Sequence, residues 1–118
     1  MWPHDTLFFM SLVEKHCVPC EAGTMPLMKP AAEELLKQVQ GWALSPDARN
    51  ISKKFTFKNF AEAMGFANKI LPVAEAENHH PKLSISWGKV GVEISTHAIS
   101  GLSENDFILA AKIDQLTK

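Results

Sequence analysis

The run Leu83-Ser84-Ile85-Ser86-Trp87-Gly88-Lys89-Val90-Gly91-Val92-Glu93-Ile94-Ser95-Thr96-His97 decides the fold class of this chain. Successive side chains of a strand point to opposite faces. Here Leu83, Ile85 and Trp87 share one parity and Val90, Val92 and Ile94 share another, each set interleaved with small or polar residues. Only Gly88-Lys89 joins the two runs, and so short a link makes them an antiparallel hairpin. The alternation places His97 on the parity opposite the valines, away from the core face.

Working outward, a second hairpin lies upstream. Ile51, Phe55 and Phe57 share a parity against Ser52, Lys54 and Thr56, with Lys53 a mild break, and Trp42 and Leu44 alternate before the turn residues Ser45-Pro46-Asp47. Three helices frame the hairpins. Pro30 opens the first, Ala31–Val39, with acids early and a lysine late, ending near Gly41. Asn59 caps the second, in which Phe60, Ala63, Met64, Ala67, Ile70 and Leu71 recur at three- and four-residue spacing. Pro72 removes a hydrogen bond from that helix and predicts a kink or break before a short continuation through Glu77. Ser103-Glu104-Asn105-Asp106 has the Ser-x-x-acid form of a capping box ahead of Phe107–Ile113, the third helix. Its apolar residues cover more than one side, which predicts burial on two sides and favours an oligomer. The order is helix, two strands, helix, two strands, helix: an α+β fold with a four-stranded antiparallel sheet and three helices on one face. Residues 30–118 read as the single domain. Residues 1–29 read as an irregular N-terminal arm, carrying Pro3, Pro19, Gly23 and Pro26 without a sustained period.

Composition narrows the classes. At 118 residues, 46% hydrophobic and 21% charged, the chain suits one ordinary globular domain. A net charge of −1 supplies no field for phosphates or anionic lipid, so direct nucleic-acid binding is not expected. No apolar run approaches the roughly 20 residues that span a bilayer. Thr6-Leu7-Phe8-Phe9-Met10 is short and lacks a basic region before it, unlike a signal peptide, and Met10 is itself an eligible start. The expected location is cytoplasmic, without membrane association. Cys17 and Cys20 form one Cys-x-x-Cys pair, an incomplete ligand set for zinc even with His16 as a third ligand. A redox dithiol stays open, although no strand-then-helix unit surrounds the pair, and two reduced cysteines in a loose segment are the plain alternative.

The chemistry gathers at Glu75-Ala76-Glu77-Asn78-His79-His80-Pro81; with His97, three of the five histidines fall between residues 75 and 106. Imidazole gives and takes a proton near its unperturbed pKa of about 6.5, so grouped histidines point to acid/base work or a metal site. Structural readings stand beside this. His79 and His80 also suit a polar helix-ending turn, and adjacent side chains face one site only where the backbone turns. His97 alone equally suits a surface position, Asp106 is the acid of the capping box, and Glu75 suits a solvated helix face. The spacing contains no His-x-x-x-His pair, and adjacent histidines rarely share an ion, so no metal is expected.

Glu75-x-x-x-His79-His80-Pro81, then Trp87, His97 and Asp106 at their intervals, resembles the signature of the pterin-4a-carbinolamine dehydratase family. The similarity extends over roughly residues 50–116, through Phe55-Thr56-Phe57-Lys58-Asn59-Phe60, Gly65-Phe66, Ser95-Thr96-His97 and Gly101-Leu102-Ser103. More loosely, Cys17-x-x-Cys20-Glu21, the first helix and Gly41-Trp42 resemble the N-terminal part of bacterial members. Pro72 and the segment before Cys17 are departures.

The resemblance implies dehydration of 4a-hydroxytetrahydropterin to quinonoid dihydropterin without metal or organic cofactor. That reaction belongs to the tetrahydrobiopterin recycling used by aromatic amino acid hydroxylases, with a functional link to phenylalanine hydroxylase. By position it makes His79 and His97 the catalytic acids, with Glu75 and Asp106 in supporting catalytic parts. It makes His80, Pro81, Trp87, Ser95 and Thr96 substrate-binding. A homodimer or homotetramer is implied. Animal members also serve as dimerisation cofactors of a homeodomain transcription factor, so a non-catalytic binding module or transcriptional cofactor on the same scaffold is the alternative. A metal-dependent hydrolase is a third reading.

Overall fold

The computed structural model describes residues 11–20 and 23–117; the apolar run at 6–10 and Glu21 lie outside them. Helices α1 (Lys29–Leu36), α2 (Phe60–Glu77) and α3 (Glu104–Gln115) and strands β1 (Ala43–Leu44), β2 (Ile51–Thr56), β3 (Lys82–Ser86) and β4 (Lys89–Ile94) follow the expected order. The sheet is antiparallel throughout, in the order β1-β2-β4-β3. The two hairpins therefore join along β2 and β4, where Ile51 faces Ile94 and Phe55 faces Val90. These four side chains are buried and meet the helices.

Lys53 falls on the core parity of β2 yet stays wet at its tip. Its stem crosses the edge of the core, with Nζ 4.9 Å from the centre of the Phe55 ring, and its ammonium donates to Asp114 Oδ1 at 2.9 Å and to the Gln40 carbonyl at 3.0 Å. A long aliphatic stem with a charged end makes that possible. Trp42 completes the junction by donating its indole N–H to Asp114 Oδ2 at 3.0 Å.

Three expectations change in detail. Helix α1 stops at Leu36 because its last turn tightens, with Gln38 and Val39 donating to the carbonyls of Leu35 and Leu36, before Gly41 takes φ +85°. Helix α2 runs unbroken through Pro72. Pro72 and Asn68 are both exposed, so the carbonyl that loses its helical partner meets water, while Phe66, Ala67, Ile70 and Ala74 hold the buried stripe on either side. Strand β4 ends at Ile94 rather than His97, because β2 and β3 offer no residue beyond Ile51 and Lys82 to pair with.

Helix α3 is buried on two sides, from Asn105 to Ala110 and at Ile113. The second side is filled by this chain. Leu12 is in the core, and Lys112 Nζ donates to the Val13 carbonyl at 3.0 Å, so residues 11–20 lie along the helix with only the short 3₁₀ turn Leu12–Glu14 as regular structure. The apolar character of α3 thus needs no second copy of the chain to explain it. Among the described residues, no helix is long and apolar enough to cross a membrane.

Candidate functional site

The site begins where α2 ends. Asn78 takes the left-handed conformation, φ 51° and ψ 42°, and its N–H turns back to the carbonyls of Ala74 and Glu75. Asparagine tolerates this region better than most residues and closes helices as glycine does. The chain then changes direction between Glu77 and His79, which is the turn that lets His79 and His80 line one cavity. They face different partners within it.

His79 is nearly buried and its Nε2 lies 2.7 Å from Asp106 Oδ1. Asp106 is 0% exposed, and its other oxygen accepts from the Thr96 hydroxyl and the Ser103 N–H, both at 2.8 Å. A carboxylate out of water is tolerable only when its lone pairs are met, and here three donors and the N-terminus of α3 meet them. That partner makes Nε2 of His79 the protonated nitrogen and leaves Nδ1 as its open one. Because the Thr96 hydroxyl spends its proton on Asp106, the 2.8 Å contact between Thr96 Oγ1 and Ser103 Oγ is donated by Ser103. The Ser103–Asp106 pair also carries the expected helix cap, through the Ser103 N–H.

Thr96 is the hinge to the third histidine. It is buried and pairs with Gly101 through two backbone hydrogen bonds, closing a tight loop whose 3₁₀ turn, His97–Ile99, ends at left-handed Ser100. His97 is exposed at the start of that turn and lines the cavity with His79 and His80. One carboxylate therefore ties two histidines together: Asp106 holds His79 directly and holds the base of the His97 loop through Thr96. His80 stands at the rim, half exposed, with Nε2 2.6 Å from Glu75 Oε2.

The cavity measures about 570 Å³, within the range of small-molecule sites. Ser95 and Thr96 line it with the three histidines. Glu75 reaches it only through His80, and Pro81 leads into β3 just outside it. Trp87 stands at the other end of β3, about 16 Å along the strand, 69% exposed in the hairpin turn. Within one chain it does not join the cavity. Among the described residues, no three His, Cys, Asp or Glu side chains converge as a metal ion requires.

The opposite wall was not foreseen from the sequence. Cys17, Val18, Pro19 and Cys20 line the same cavity, with Glu77 and Asn105 beside them. Glu77 is buried and accepts from the Cys17 N–H at 2.7 Å; His16 Nδ1 lies 2.9 Å away and Lys112 Nζ 3.5 Å away. Burial is the largest single influence on its carboxyl and disfavours the charge, but the Cys17 N–H, the His16 imidazole and the Lys112 ammonium together hold it below the ordinary glutamate range. It is ionised at neutral pH. Burial first, then the nearby carboxylates of Glu77 and Asp106, push the Cys17 thiol up to about 12. A thiol that stays protonated is a poor nucleophile and a poor metal ligand. A signal for Glu77 was present in the sequence: Ala63, Ala67, Ile70, Ala74 and Glu77 follow four- and three-residue steps, which puts a carboxylate on the buried stripe of α2.

A site of this kind can move protons near pH 7. It holds three imidazoles, one of them fixed in orientation by a buried carboxylate. Comparison with known proteins gives that arrangement a context. The model of the family described as pterin 4 alpha carbinolamine dehydratase matches residues 25–116. A candidate pterin-4-alpha-carbinolamine dehydratase of Halorhodospira halophila is 51% identical over 107 residues, 91% of this chain and 98% of the relative. One of the same description from Rickettsia canadensis is 53% identical over 104 residues, 87% of this chain and 94% of the relative. Among solved structures, a transcriptional coactivator/pterin dehydratase from Brucella melitensis superposes with a TM-score of 0.74 at 29% identity, covering 79% of this chain and 99% of that one. With a family model spanning most of its length and relatives half identical along nearly all of theirs, this chain belongs to the pterin 4 alpha carbinolamine dehydratase family.

Proposed function

We propose that the protein is a 4a-hydroxytetrahydropterin dehydratase working by histidine acid/base catalysis. One observation carries the reading: three histidines distant from one another or differently oriented in the chain line one cavity, in a member of this family. Loss of water from the 4a-carbinolamine needs a proton delivered to the 4a-oxygen as the C4a–O bond breaks. It also needs the N5 proton removed as the C4a–N5 double bond forms, leaving quinonoid dihydropterin and one water. One proton is delivered and one is taken up, so none is consumed overall, and the acid and the base return to their starting states by exchanging a proton through solvent, with no cofactor called on.

In this reading His79 and His97 are the catalytic groups at the 4a-hydroxyl and N5. Asp106 fixes the tautomer of His79, and Glu75 orients His80, which binds the ring with Ser95 and Thr96. The activity would recycle the pterin used by aromatic amino acid hydroxylases. Self-association as a dimer or tetramer belongs to the same reading, with Trp87 and Pro81 contributing at or near the assembled site. Stopped-flow ultraviolet absorbance on freshly generated 4a-hydroxytetrahydropterin tests it. Wild type should accelerate the loss of the carbinolamine, and His79→Ala and His97→Ala should lose about 10²-fold or more of that rate, with His80→Ala raising KM. A flat trace from folded wild type would sink it. Because the Brucella melitensis relative is described as a coactivator as well as a dehydratase, the second reading is a binding module on this scaffold, which a regulator co-purifying in stoichiometric amount with the inactive protein would favour.

A further inference from the structure

We infer that the segment Cys17–Cys20 is a wall of the pterin site and that Glu77 is the residue that positions it there. The inference rests on the dehydratase reading and adds to it a part of the chain outside the Glu75–Asp106 signature. Three facts converge. First, Cys17, Val18, Pro19 and Cys20 face the same cavity as His79, His80 and His97, so whatever fills that cavity meets both.

Second, the segment is fastened at each end by a side chain from a different helix. Glu77, the last residue of α2, accepts the Cys17 N–H at 2.7 Å and lies 2.9 Å from His16 Nδ1. Asn105, in the first turn of α3, brackets Val18: its Oδ1 accepts the Val18 N–H at 3.0 Å and its Nδ2 donates to the Val18 carbonyl. Both thiols also turn to Asn105, Cys17 Sγ to its carbonyl at 3.5 Å and Cys20 Sγ to its side-chain amide at 3.4 Å. Small residues and a proline, with the Cys17 N–H and both backbone groups of Val18 hydrogen-bonded, make a wall rather than reactive equipment.

Third, the fastenings stand beside the catalytic groups in sequence. Asn105 precedes Asp106, and Glu77 is two residues before His79. A carboxylate buried at the end of a helix, with its charge engaged by the N-terminal segment and by Lys112 of α3, has no packing reason to be there. Its partners are the reason. Glu77 touches no reacting atom in this account; it acts through the segment it holds.

The test compares Glu77→Leu, which removes both acceptor oxygens, with Glu77→Gln, which keeps one for the Cys17 N–H, in steady-state dehydration by the full-length protein. Glu77→Leu should raise KM about tenfold, the scale of one good charge-assisted hydrogen bond, while kcat changes little, and Glu77→Gln should recover most of the difference. Val18→Trp, which leaves the latch intact but fills the wall, should raise KM in the same way and guards against a Glu77→Leu variant that does not fold. Bound 7,8-dihydrobiopterin should slow alkylation of Cys20 by iodoacetamide. Normal KM in folded Glu77→Leu and Val18→Trp, with Cys20 unprotected, would overturn the wall while leaving the dehydratase reading intact. A wild type that neither turns over the carbinolamine nor binds 7,8-dihydrobiopterin would overturn both.

Discussion

Asp106 is the residue on which the most geometry depends, because it joins three segments that are far apart in the chain. Asparagine at that position keeps the shape but brings two N–H donors toward partners that are themselves donors. His79 Nε2 would then have to accept, its proton would move to Nδ1, and the nitrogen open to the cavity would change character. Asp106→Asn is expected to lower kcat by about 10²-fold or more with a smaller effect on KM. Circular dichroism and stopped-flow rates on the same preparation check this: a folded variant with normal kcat would remove Asp106 from the catalytic account. The sequence presented Asp106 as a helix cap, which it is, and only the fold brings His79 and Thr96 to its two oxygens. Glu77 was hidden differently. Its burial follows from the stripe of α2, but its hydrogen-bond partners, His16 and Cys17, lie some 60 residues away in a segment without period.

At the scale of elements, the alternating runs and cap signals located the four strands and three α-helices of the described residues. Position was read less well than type wherever a neighbour decides the ending: β4 stops where its partners stop, and the 3₁₀ turn at His97 owes its shape to the Thr96–Gly101 pairing. Pro72 is the instructive case. Local chemistry argues for a kink or a break, and the buried residues on both sides keep the helix from breaking. The missing hydrogen bond is still missing, so Pro72→Ala should stabilise the protein by about 1–2 kcal/mol after the unfolded chain's added freedom is discounted. Thermal unfolding should show a midpoint several degrees higher, with dehydration unchanged. An unchanged or lower midpoint would mean that the proline ring contributes packing of its own.

For the molecule as a whole, the question is what covers its remaining apolar surface. Phe60, Met64 and Leu71 are exposed and fall within about 40° of one another around α2, and the open edge strand β3 carries partly exposed Ile85 and leads to exposed Trp87. Light scattering on the purified protein is expected to give two or four chains, and Leu71→Glu should reduce that number. A monomeric wild type at micromolar concentration would remove self-association from the proposal. These exposed positions favour self-association; α3 does not, because its second side is already occupied by residues 11–20.

That occupation sets a timetable. Val18 leaves the ribosome 87 residues before the asparagine that brackets it, an interval of about 4–17 s at ordinary rates of synthesis. Through that interval the cysteines lack Asn105, the residue to which both thiols turn. The last wall of the cavity is the first piece of it to be made, and it can close only when nearly everything else is in place.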